Sequence, residues 1–167
     1  MHWAFRVKHP DALRLGPLVF RDPVLLCGSL YFLLYFDASG FLRLGLLAAF
    51  LHECGHILVY CTLLRRFPVI EVTMIGFCMR MDAPARELSP GQLFWLAAAG
   101  PAVNFMLAGI WALRLEQKLT IRGSAFWAAN LLTGGFNLLP VPPLDGAQLA
   151  SCLCEMRRAG KKFKGND

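Results

Sequence analysis

Four long apolar runs occupy most of this 167-residue chain and leave little polar sequence to cover them. They fall at about residues 23–38, 42–64, 92–113 and 123–144. Leu44–Leu64 and Leu93–Leu113 are each 21 residues long. At a rise of 1.5 Å per residue, about 20 apolar residues cross the hydrocarbon of a bilayer. One such run could be the core helix of a soluble protein, but four would need a polar shell that this chain lacks. Apolar residues make up 56% of it and charged residues 17%, against about 45–50% and 25% in soluble domains. The expected fold is an all-α integral membrane protein of four transmembrane helices. A chain this apolar is not disordered.

Charge sets an expected orientation. With the N-terminus in the cytoplasm, thirteen of the seventeen Lys and Arg residues fall on inner segments and four on outer loops. Residues 1–22 form a basic lead-in at the cytoplasmic interface, and 151–167 a basic cytoplasmic tail that an anionic inner leaflet would hold. The lipid bilayer is therefore the partner expected for the tail, and nucleic acid is not. The first apolar run begins too late, and lacks the cleavage pattern, for a removed signal peptide. The six cysteines are expected as reduced, small apolar fillers.

Between the second and third runs, Val69–Ile75 is β-branched and partly alternating, Gly76 offers a turn, and Phe77–Met81 can return. Extended backbone cannot face lipid. The segment 69–81 is thus expected as a short membrane-associated β-like hairpin at the interface or against protein.

His52-Glu53-Cys54-Gly55-His56 has the HExxH spacing. On a helix, positions i and i+4 share a face, so both imidazoles can grip one ion with the glutamate beside it. Ionisable residues inside a span are costly and mark function, and a bound cation removes the cost. Zinc at an open site needs a third protein ligand. His2 and His9 precede the first run, leaving Glu71, Asp82, Glu87, Glu116, Asp145 and Glu155. Asp145 follows Pro140, Pro142 and Pro143, which break the fourth run and free its backbone groups. It is the expected third ligand, with Glu71 the runner-up and a cap on a short helix over Gln148–Met156 its bland alternative. One Zn2+ per chain would activate water, and Glu53 is placed to act as general base.

The spans also carry three asparagines. Asn137 lies beside the break and is expected to handle a substrate carbonyl or to fix the opened helix. Asn104, one turn after Gly100-Pro101, is either substrate-facing or structural. Asn130 reads as glue between helices.

HECGH at 52–56, GPAVN at 100–104 and NLLPVPPLDG at 137–146 together resemble the site-2 protease family of intramembrane zinc metalloproteases. The resemblance covers about residues 42–150. It implies a three-helix metalloprotease core, zinc on His52, His56 and Asp145, Glu53 as the base, and a role for Asn137 with substrate. It also implies cleavage of transmembrane or membrane-associated proteins, in regulated intramembrane proteolysis. Members that process a sporulation sigma-factor precursor look similar in this core. With no room for a PDZ or CBS domain, a near-minimal form is expected, governed by a membrane partner or a homo-oligomer, in a bacterial plasma membrane. The rival classes are a non-proteolytic scaffold or chaperone with a structural metal, and a metal transporter.

Overall fold

The structure, a computed structural model, describes residues 12–73, 76–80 and 88–164, with 76–80 and 160–164 described as backbone alone. Residues 1–11 of the lead-in, positions 74, 75 and 81 of the expected hairpin, the ligand candidates Asp82 and Glu87, and tail residues 165–167 lie outside the described residues.

The chain order is β1 (Leu13–Leu15), β2 (Leu18–Phe20), α1 (Pro23–Phe36), α2 (Phe41–Leu64), β3 (Val69–Thr73), β4 (Gly76–Arg80), α3 (Pro90–Gln117), α4 (Ile121–Asn137) and α5 (Asp145–Lys164). α3 is central and packs against α2, α4 and α5. It is a helical, membrane-associated fold with a small mixed sheet. Two described helices, α2 and α3, are long and apolar enough to cross a membrane, with mean hydropathies of 1.5 and 1.7. Their apolar stretches are only 28% and 39% buried within the protein. That leaves Trp95, Leu58 and Met106 facing outward, as lipid-facing side chains do and core side chains do not.

The first and fourth runs are shorter as helices than as sequence. α1 has 14 residues and no buried side chain. α4 has 17 residues and stops at Asn137, so it is about 26 Å long against a hydrocarbon thickness of about 30 Å. Residues 138–144 continue as turns closed by short-range bonds such as Val141 N–H to Leu139 O and Leu144 N–H to Val141 O. Pro140, Pro142 and Pro143 cannot donate to a helix, which is the reason for the stop.

The sheet takes in residues 13–20 of the N-terminal segment. Residues 13–20 form a β-hairpin whose two-residue turn has Gly16 at φ 60°, the left-handed conformation that hairpin turns favour. The strand order is β1-β2-β3-β4. β2 runs parallel to β3, pairing Leu18 with Ile70 and Phe20 with Val72, and β4 returns antiparallel from Thr73↔Gly76. The parallel pair needs a long crossover, which α1 and α2 supply. Arg21 then ties the sheet to the start of α1: its N–H donates to Val72 O at 3.0 Å, and its guanidinium meets Glu71 at 2.8 Å.

α3 begins at Ser89-Pro90-Gly91-Gln92. Ser89 Oγ accepts from Gln92 N–H at 3.3 Å and Gln92 Oε1 accepts from Ser89 N–H at 2.8 Å, a reciprocal capping box. The expected short helix over 148–156 is instead the 20-residue α5, which starts at Asp145. The described cysteines Cys27, Cys54, Cys61, Cys152 and Cys154 are free thiols.

Candidate metal centre

Residues distant in sequence converge where α2, α3 and the start of α5 meet. His52 and His56 lie one turn apart on α2 and are 3% and 7% exposed. Their Nε2 atoms are 3.1 Å apart. Asp145, the first residue of α5, places Oδ2 3.0 Å from His52 Nε2 and 3.2 Å from His56 Nε2. Among the described residues these three form the one group of His, Cys, Asp or Glu side chains arranged to hold a metal ion. Glu71, the runner-up, is not in it: it is committed to Arg21 in the sheet.

The far sides of the imidazoles decide what the near sides offer. His56 Nδ1 faces the backbone carbonyl of Leu96 at 2.8 Å. His52 Nδ1 faces Asn104 Oδ1 at 2.6 Å. Both oxygens only accept, so each Nδ1 carries a proton, and in the neutral imidazole each Nε2 then presents a lone pair. In that neutral form two lone pairs and a carboxylate oxygen crowd one point with no proton among them. A cation removes that conflict. Ligands held at about 2.0–2.2 Å in a tetrahedral array stand about 3.3–3.5 Å apart, within a few tenths of an ångström of the separations here.

The opposite wall is Gly100 on α3. A Cβ there would stand 2.5 Å from His52 Nε2 and closer still to His56 Nε2. The missing side chain therefore leaves open the volume next to both nitrogens. On the other flank Gly146 lies against the backbone carbonyl of Leu138, where a Cβ has no room. This close approach folds the turns 138–144 back and delivers Asp145. The residues present fit zinc in number, type and spacing.

Glu53 is half-buried on α2 beside the two histidines. Asn137 is half-buried at the last residue of α4, and its Nδ2 donates to Thr133 O at 2.9 Å. Asn104 stands differently from a substrate-facing residue. It is 0% exposed and sits behind His52, with Nδ2 donating to Ala48 O at 3.1 Å and to Asn130 Oδ1 at 3.0 Å. The His52–Asn104 bond crosses 52 positions and has no local signature in the sequence.

No family model matches the sequence. A solved structure titled as the site-2 protease from Methanocaldococcus jannaschii superposes with a TM-score of 0.61 at 22% identity, covering 87% of this chain and 71% of that one. The chain has the site-2 protease fold. Sequence relatives agree with that fold. A zinc metalloprotease of M. jannaschii is 33% identical over 105 residues, 59% of this chain and 30% of that protein. A Synechocystis protein that carries the zinc metalloprotease name provisionally is 33% identical over 118 residues, 64% of this chain and 31% of its own length. The chain thus spans about a third of the length of the curated relatives it matches. The buried His-His-Asp cluster thus lies within that fold, and the sequence relatives carry the zinc metalloprotease name.

Proposed function

We propose that this chain is an intramembrane zinc endopeptidase that hydrolyses peptide bonds in or near transmembrane segments of membrane proteins. The observation that carries the proposal is the convergence of His52 Nε2, His56 Nε2 and Asp145 Oδ2, with the two imidazoles held by acceptors on their far sides. One zinc ion bound there supplies a Lewis acid for the scissile carbonyl and lowers the pKa of water to near 7. His52, His56 and Asp145 hold the ion. Glu53 takes a proton from the attacking water and delivers it to the leaving amide nitrogen. Asn137, at the broken end of α4, offers its side-chain amide to the substrate carbonyl. The four apolar runs cross or enter the bilayer with both termini cytoplasmic, and the helical substrate unwinds locally to expose its amide.

The test counts zinc per chain in detergent-purified protein and then assays cleavage of a transmembrane peptide panel. Wild type is expected to hold about one zinc and Asp145→Ala far less, with both folded. Glu53→Gln is expected to keep its zinc and lose cleavage. Biological activity that survives Glu53→Gln would sink the protease reading and leave the scaffold with a structural metal.

A further inference from the structure

Asn130 lies on α4, is 0% exposed, and has no place in the reaction just described. Its Nδ2 donates to Phe126 O at 2.8 Å, and its Oδ1 accepts from Asn104 Nδ2 at 3.0 Å. Asn104 Nδ2 also donates to Ala48 O on α2. Backbone carbonyls only accept, so Phe126 O and Ala48 O orient the two amides. With both amides so oriented, only Asn104 Oδ1 can face His52, and only an Nδ1–H can meet it. The chain of bonds starts at a helix backbone on α4, passes through α3, and ends on the tautomer of a histidine on α2. Every described buried side-chain nitrogen and oxygen is satisfied, so no member can reverse without leaving an unpaired group.

We propose that Asn130 is a positioning residue for the metal centre: it anchors Asn104 and thereby holds His52 with Nδ1 protonated and Nε2 bare. Glue between helices would need only the Asn130–Asn104 contact; the directed run of donors and acceptors into His52 is what a positioning role adds. The effect on metal affinity rests on the metal-site reading above, whereas the effect on the tautomer does not. Outer partners of a ligating histidine tune its metal affinity by about 10–100-fold.

The experiment uses the full chain in detergent, 15N-labelled at histidine and stripped with a chelator, at a pH where imidazole is neutral. The His52 resonances are assigned by their loss in His52→Ala. Wild type is expected to show the Nδ1–H tautomer alone, and Asn130→Ala a mixture with Nε2–H. Zinc affinity by chelator competition is expected to fall about tenfold in Asn130→Ala. The Asn104→Ala/Asn130→Ala double variant should bind no more weakly than Asn104→Ala. An unchanged tautomer and unchanged zinc affinity in folded Asn130→Ala would overturn the proposal, as would additive losses in the double variant. Asn130→Leu, which keeps the branched shape and removes both bonds, gives the same readout where the alanine variant does not fold. Wild type that binds no zinc would defeat the metal-site reading while the tautomer comparison still decides this one.

Discussion

Gly100 on α3 faces His52 on α2 so closely that a methyl group on the glycine would stand 2.5 Å from the imidazole Nε2. A zinc–imidazole bond is about 2.0–2.1 Å long, so that methyl would compete with an ion for the same volume. In most exposed helix interiors, glycine to alanine is stabilising by up to about 1 kcal/mol. Here the expected result of Gly100→Ala is loss of the metal, with helix content retained. Full zinc occupancy in folded Gly100→Ala would show that the ion sits elsewhere.

Gly146 makes the same point for the third ligand. A Cβ at this position would meet the backbone carbonyls of Leu138 and Leu139, which cannot swing aside as a side chain can. The start of α5 must then shift, carrying Asp145 away from His52 and His56. Gly146→Ala is expected to cost about 1–3 kcal/mol and to weaken zinc binding. Chemical unfolding read beside metal content tests both, and wild-type values for the two would remove Gly146 from the construction of the site.

The Arg21–Glu71 pair joins the start of α1 to the middle of β3 at 2.8 Å, with the side chains 27% and 10% exposed. Removing one partner from a largely buried pair costs more than the pair itself contributes. Arg21→Ala is expected to loosen the sheet by about 1–3 kcal/mol, after allowance for the partial exposure of Arg21. The helical bundle should hold. Amide exchange would report this: Ile70, whose N–H donates to Pro17 O, should exchange about tenfold faster or more. Equal rates at Ile70 in both proteins would mean that backbone pairing alone holds β2 to β3.

Ser89→Ala removes half of the capping box that starts α3 and leaves the N–H of Gln92 without its side-chain acceptor. The expected loss is about 1 kcal/mol, and Gln92→Ala should add little to it because the two bonds are reciprocal. A double-mutant cycle on unfolding free energy measures the coupling. Strictly additive losses would show two independent contacts instead of one motif.

The parts of this protein that the sequence alone determined are those with a short period. Helical repeat puts His52 and His56 on one face four residues apart, so two of the three candidate metal ligands were legible before any fold. The apolar runs in α2 and α3 set their length and character, and the prolines at 140, 142 and 143 marked where α4 must stop. Tertiary structure decided what depends on packing between distant segments. Asp145 lies 93 and 89 positions from the two histidines; its sequence position made it a candidate, while the turns against Gly146 chose it over Glu71. Asn104 and Asn130 offer the same amide to any neighbour, and only the crossing of α2, α3 and α4 directs them into His52. The same holds for β2, a three-residue strand too short to specify its partner, which pairs with β3 because α1 and α2 return the chain alongside it. Local backbone geometry is written in spacing, whereas side chains far apart in the chain acquire partners only when the helices close around them.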